Sequence, residues 1–208
     1  MDSKKFQNKY RIPSARWQNW DYSANAEYFI TICTAKRECL FGKIVNGEMF
    51  LSEFGKTVNQ EWDKSFEIRK ELFCDAFVIM PNHIHAILRI VQTHDTVQTH
   101  DRVETHDRVE THGRASLSRA DTVSTGIARR PPKSISSFVA GFKSAVTKQI
   151  NEMRNTPRLP VWQARFHDHV IRDDREYNRI ANYIANNPHK WEDDRWNNRT
   201  DARPCVSN

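Results

Sequence analysis

The chain has 208 residues, of which 38% are hydrophobic, and 32 Lys and Arg against 26 Asp and Glu give a net charge of +6. This length allows one domain with a sizeable core plus extras. A mean hydropathy of −0.77, with no apolar run of about 18 residues, excludes a transmembrane helix. The basic balance favours a polyanionic partner such as nucleic acid.

The polar start Met1-Asp2-Ser3-Lys4-Lys5 carries no apolar segment, so no secretion signal is expected. Cys33, Cys39, Cys74 and Cys205 form no CxxC pair and read as reduced thiols of a cytoplasmic protein. Residues 1–24 are polar and basic with Trp17, Trp20 and Tyr22 interspersed, and read as an N-terminal arm. The main domain is expected over 25–191. It opens with Glu27-Tyr28-Phe29-Ile30-Thr31-Ile32-Cys33-Thr34, rich in β-branched and aromatic residues and hence a strand. Asn46-Gly47 between Ile44-Val45 and Met49-Phe50-Leu51 predicts a hairpin. Ser52 before Glu53, with Phe54, Val58 and Trp62 spaced by four, predicts a capped helix to about residue 66. Two further strands follow, Leu72 to Met80 and His83 to Val91, divided by Pro81-Asn82.

Residues 92–130 differ in character. A six-residue unit, Gln/Glu-Thr-His-Asp/Gly-Arg/Thr-Val/Ala, recurs and supplies His94, His100, His106 and His112. One apolar residue per unit cannot build a core, so a disordered or loosely ordered insertion is expected. The repeat histidines read as solvated, with opportunistic zinc or nickel binding, or a histidine-rich metal store, as the alternative. After Pro131-Pro132, the stripe Ile135, Phe138, Val139, Phe142, Val146, Ile150 predicts a helix. Val161 to Ile171 reads as the last strand. A helix from Asp173-Asp174 through Asn186 is stopped by Pro188, and 192–208 form a polar tail.

Without the insertion the order is β-(hairpin)-α-β-β-α-β-α. Its β-α-β-β-α-β core predicts an α+β, ferredoxin-like antiparallel sheet with two helices on one face, plus an added C-terminal helix. Between 131 and 172, Lys133, Lys143, Lys148, Arg154, Arg158, Arg165 and Arg172 face only Glu152 and Asp168. The excess charge therefore lies in the segment leading to the last helix, where a phosphate backbone is expected. Lys143, Lys148, Arg154, Arg158, Arg165 and Arg172 are its candidate contacts, joined by His167 and His169.

The chemistry concentrates at His83-Ile84-His85. Alternation along a strand projects both imidazoles from one face and Ile84 from the other, which is half of a metal site. Tyr183 and Asn187, four apart on the last helix, share a face. A metal held by two imidazoles and an amide oxygen keeps open positions for phosphate, and a tyrosine hydroxyl beside it can attack phosphorus. Tyr177 falls instead with Ile180 and Ile184 on the buried stripe. His167-Asp168-His169 is a rival pair. Its charged middle residue leaves no apolar side, which favours a DNA-facing or supporting role over metal binding. Trp162 and Trp191 stack on bases or pack in the core.

His83-Ile84-His85 after Val78-Ile79-Met80-Pro81-Asn82 resembles the His-hydrophobic-His motif of single-tyrosine HUH transposases. Trp162-Gln163, then Phe166 to Arg172, then Tyr183-Ile184 and Asn187-Pro188 resemble the REP-associated tyrosine transposases of the insertion-sequence-200-like group. The resemblance covers roughly 25–91 and 131–191. It implies a Mg2+- or Mn2+-dependent nuclease and ligase that acts on single-stranded DNA hairpins of repetitive palindromic elements through a phosphotyrosine link. His83 and His85 would be its metal histidines, Tyr183 its nucleophile and Asn187 its polar ligand, where many members carry glutamine. A monomer or homodimer, with no membrane partner, is expected. The rival class is a non-catalytic binder of hairpin DNA or RNA with the same fold.

Overall fold

The computed structural model describes residues 20–91, 131–193 and 197; the first nineteen residues, the repeat insertion at 92–130 and nearly all of the tail lie outside the described residues. In chain order the elements are β1 (Ala26–Cys33), β2 (Gly42–Val45), β3 (Glu48–Leu51), α1 (Glu53–Ile68), β4 (Leu72–Met80), β5 (His83–Ile90), α2 (Ile135–Met153), β6 (His167–Ile171) and α3 (Asp174–Asn186). A 3-10 turn, Pro188–Asp193, follows α3.

β4, β5, β1 and β6 form one sheet in that order, every neighbouring pair antiparallel. Period-two alternation divides each strand between two layers. Tyr28, Ile30 and Ile32 of β1 and Ile84, Ala86, Leu88 and Ile90 of β5 face α1 and α2. There they bury against Val58, Trp62, Phe138, Phe142, Val146 and Ile150. Trp62 organises that layer: Phe77 stacks on it at 4.1 Å, and Phe138 and Phe142 meet it edge-on at 5.4 and 5.2 Å. The expected α+β, ferredoxin-like sheet with two helices on one face is thus formed. α3 packs on the opposite face, where Ile180 and Ile184 bury against Ile87 and Ile171, with Phe29 and Val78 alongside.

The helix starts follow their caps. Ser52 accepts from Gly55 N–H, Ser134 and Ser137 form a reciprocal capping box, and Asp173 accepts from Glu176 N–H. The hairpin turns on Asn46 (φ 54) and Gly47 (φ 79), both left-handed as a two-residue turn between twisted strands requires. At Gly47 a Cβ would lie 2.3 Å from His189 Nδ1, so the hairpin tip leans on the 3-10 turn after α3 through a glycine.

Two expectations are corrected. The last strand is broken: Trp162 makes an isolated bridge to Thr34, and regular pairing resumes only where His167 meets Thr31. The segment from Trp162 to His167 is longer than the stretch of β1 that it faces, so the intervening residues leave the sheet, and the Lys143 ammonium holds the carbonyls of Gln163 and Ala164 there. Residues 20–22 are not a free arm. Trp20 and Tyr22 pack against the core, with Trp20 Nε1–H donating to the Tyr28 hydroxyl at 3.2 Å. Cys33 and Cys74 are free thiols.

Candidate active site

The register of the sheet assembles the site. His85 lies opposite Thr31 of β1, and Thr31 lies opposite His167 of β6. Phe29 lies opposite Ile87 and His169. Directly paired residues share a face, so both His-x-His segments project from the side covered by α3, with β1 between them.

His83 and His85 are 0% and 1% exposed. Their Nε2 atoms are 3.0 Å apart. The outer ring nitrogens are each held: His83 Nδ1 lies 2.7 Å from Asn82 Oδ1, and His85 Nδ1 lies 2.8 Å from Thr31 Oγ1. The Tyr183 hydroxyl reaches His85 Nε2 at 3.2 Å across 98 residues of sequence. Phe29 stacks on His85, with centroids 5.3 Å apart, and meets Tyr183 edge-on at 6.3 Å. Trp191, in the 3-10 turn, lies 6.1 Å from the His83 ring.

Asn187 caps α3 at its C-terminal end. Tyr183, Asn187 and Trp191 follow one another at steps of four, and the two outer rings touch His85 and His83 respectively. Asn187 is 2% exposed, and its Oδ1 has no hydrogen-bond partner. A buried carbonyl oxygen left unpaired costs about 1–3 kcal/mol, so it marks a place for a cationic or donating group.

These donors fit a divalent ion. Two nitrogens 3.0 Å apart, with metal–nitrogen bonds of about 2.1 Å, subtend about 90°, the angle between neighbouring ligands of an octahedral ion. The Nδ1 contacts aim both Nε2 atoms inward, as ligating imidazoles require. Among the described residues no group of three or more His, Cys, Asp or Glu side chains could hold a metal. The two imidazole nitrogens are the only such donors at this place among those residues, and the Asn187 oxygen is the unpaired acceptor on the same helix as Tyr183.

Tyr183 is 40% exposed, so it can meet a ligand in solution while its hydroxyl faces the histidines. Tyr177 packs beside Ile180 and Ile184, as expected, and burial, followed by the charges of Asp75 and Glu27, pushes its hydroxyl above the usual range.

The second pair has a different setting. His167 is exposed and meets Phe29 edge-on at 6.4 Å. His169 Nε2 lies 2.9 Å from Glu176 Oε1 on α3. Burial pushes the Glu176 carboxyl up. The His169 bond, the Arg172 N–H and the charges of His169 and Arg179 outweigh it and hold the group below the usual range. Asp168, expected to deny this strand a buried side, is itself 5% exposed on the α1/α2 face. The sheet buries the carboxylate and leaves the histidines at the surface.

The candidate phosphate contacts are not brought together. Arg165 and Arg172 flank β6 and are exposed. Lys143 and Lys148 lie on α2 and Arg154 caps it, in the layer on the other side of the sheet from Tyr183. Arg154 is engaged with Asn151 Oδ1 and the Leu159 carbonyl. Arg158 is exposed in the loop beyond. Trp162, 7% exposed between Phe41 and Phe142, is a core residue.

Sequence reasoning missed Thr31, Asn82 and Phe29. The usable signal was the alternation of β1, which sets Phe29 and Thr31 on the face opposite Tyr28 and Ile30, and the position of Asn82 next to His83.

No protein-family model matches the chain. An uncharacterized protein of Haemophilus influenzae is 34% identical over 181 residues, 87% of this chain and 90% of the relative, and the chain belongs to the family of that protein. Among solved structures, a REP-associated tyrosine transposase bound to a REP hairpin superposes with a TM-score of 0.49 at 17% identity, over 86% of this chain and 74% of that one. A protein of Deinococcus radiodurans provisionally described as a transposase gives 0.41 at 13% identity, over 83% and 97%. Both are distant likenesses, and neither assigns an activity to this chain.

Proposed function

We propose that this chain is a DNA-processing enzyme of transposase type. It binds a folded single strand, such as a hairpin of a repetitive palindromic element, cuts one phosphodiester with Tyr183 and rejoins it. The observation that carries this reading is the meeting of the Tyr183 hydroxyl with His85, beside His83 and on the same face as the unpaired Asn187 oxygen. The resemblance of both segments to the single-tyrosine HUH transposases supports it. A cytoplasmic monomer or homodimer belongs to the same proposal.

Attack by Tyr183 forms a bond between the phenolic oxygen and phosphorus. It breaks the bond from phosphorus to one bridging oxygen, which leaves as a hydroxyl after taking up a proton. Attack by that hydroxyl, or by another strand's, releases the tyrosine and rejoins DNA. Phe29 limits sliding of the Tyr183 ring by its edge contact and fixes His85 by stacking. His83, His85 and Asn187 would hold Mg2+ or Mn2+, and such an ion, when bound, polarises the phosphodiester and favours the tyrosine oxyanion. Both imidazoles lie under side chains of α3 and the turn after it. The Tyr183 hydroxyl therefore gives up its contact with His85 Nε2 whenever that nitrogen takes another partner.

The test is a denaturing gel with labelled single-strand hairpins from the DNA flanking the gene, with Mg2+ or Mn2+ and then with chelator. A metal-dependent adduct is expected, lost in Tyr183→Phe and kept in Tyr177→Phe. An adduct that survives Tyr183→Phe removes Tyr183 as nucleophile. Salt-sensitive binding without any adduct identifies a non-catalytic hairpin binder.

A further inference from the structure

We propose that Asn82 is a positioning residue that fixes the His83 ring in one tautomer, with its proton on Nδ1 and its Nε2 lone pair turned into the site. The amide oxygen of Asn82 lies 2.7 Å from His83 Nδ1. A carbonyl oxygen only accepts, so the ring nitrogen facing it carries the proton and the other is bare in the neutral ring.

This assignment depends on which way the amide points, and a second bond decides that. Asn82 Nδ2 donates to the Arg37 carbonyl at 3.3 Å. Reversing the amide would set oxygen against oxygen there and nitrogen against the ring. The Arg37 carbonyl is placed by an unusual turn after β1. Lys36 (φ 53) and Arg37 (φ 58) are successive left-handed residues, neither of them glycine, and such strain persists only where surrounding contacts impose it. Thr34 supplies those contacts: its hydroxyl meets the Glu38 carbonyl at 2.8 Å and the Asn82 carbonyl at 3.0 Å. Asn82 itself is 2% exposed. The strained turn, the Asn82 amide and His83 thus form one relay running from a backbone carbonyl to the ring. The inference rests on the proposed function in one respect: the bare Nε2 serves as a ligand only if the site takes a divalent ion.

The experiment uses the full chain with ring-15N-labelled histidine. Proton–nitrogen spectra are recorded without metal under conditions where the ring is neutral, with the His83 signal assigned by its loss in His83→Gln. Mn2+ binding is then titrated on the same samples. Wild type should show His83 protonated on Nδ1. Asn82→Ala should move the proton to Nε2 and weaken Mn2+ binding roughly 10–100-fold. Asn82→Asp, which keeps an acceptor oxygen, should restore the Nδ1 proton. A wild-type ring protonated on Nε2 overturns the inference and needs no variant to fold. An unchanged tautomer in a folded Asn82→Ala overturns it as well. A wild-type ring protonated on Nδ1 with no Mn2+ uptake supports the inference and overturns the metal reading of the site.

Discussion

His83-Ile84-His85 and His167-Asp168-His169 are the same pattern on one face of one sheet, with only β1 between them. Their environments are opposite. The first lies on β5, an interior strand flanked by β4 and β1, and its imidazoles are closed off from water. The second lies on the edge strand β6, where His167 is exposed and the His169 side chain is 38% exposed. Position in the sheet, not the pattern, buried one pair and left the other at the surface. The neighbours supplied by the sheet complete the contrast: Asn82, Thr31 and Tyr183 converge on the first pair, and Glu176 tethers the second to α3.

The largest expected effect breaks the contrast at the middle residues. Ile84 and Asp168 both point into the α1/α2 layer, and Ile84 is 0% exposed. Ile84→Asp places an unpaired carboxylate in that core and should cost about 4 kcal/mol or more, enough to abolish a cooperative melt. Asp168→Asn, at the equivalent place on the edge strand, should stay within about 1 kcal/mol of wild type in denaturant titration. Equal losses for the two variants would show that interior and edge positions do not differ.

Next come the histidines. His83→Ala or His85→Ala should lower Mn2+ affinity and adduct yield by roughly 100-fold or more while the chain still folds. The double variant His167→Ala/His169→Ala should lower adduct yield less than about tenfold and leave Mn2+ affinity alone. Loss of Mn2+ binding in the double variant, with retention in His83→Ala, would reverse the assignment of the two pairs.

Thr31 touches one pair and lies opposite the other, so Thr31→Val sharpens the comparison. It removes the oxygen 2.8 Å from His85 Nδ1 and keeps the shape of the side chain. Mn2+ affinity should fall about tenfold, with a stability loss of about 1–2 kcal/mol. An isothermal titration that shows unchanged affinity would detach Thr31 from the site.

The smallest effect belongs to the edge pair. Because the Glu176 carboxyl is held below its usual range, its contribution to stability is present above the unfolded-state value of about 4.3 and fades as pH falls through the folded value. Glu176→Gln should lower the melting temperature slightly near neutrality, by an amount reflecting about 0.5 kcal/mol or less for such a solvent-accessible pair. The difference from wild type should shrink as acid melts go below the unfolded value of about 4.3 and vanish once the pH lies below the folded value.

Much of this site was legible because its periodicities are local. The step from His83 to His85 fixes a common strand face, and the step from Tyr183 to Asn187 fixes a common helix face. The caps at Ser52 and Asp173 sit where their sequence neighbours require. The last strand was misread because Val161-Trp162 carries the composition of a strand but ends in a bulge that only the facing β1 reveals. Asp168 was misread because its charge argued for solvent, whereas the alternation set by Val170 and Ile171 turned it inward.

Spacings of two to four residues were enough to read most of the elements and the common faces of His83 with His85 and of Tyr183 with Asn187. Tertiary structure alone decided that α3 covers the face opposite α1 and α2. It also decided that both histidine pairs share that face and that Thr31 holds the first pair. Each of these follows from cross-strand register and helix docking between residues many tens of positions apart, where burial of the apolar stripes selects a single arrangement that no local pattern encodes.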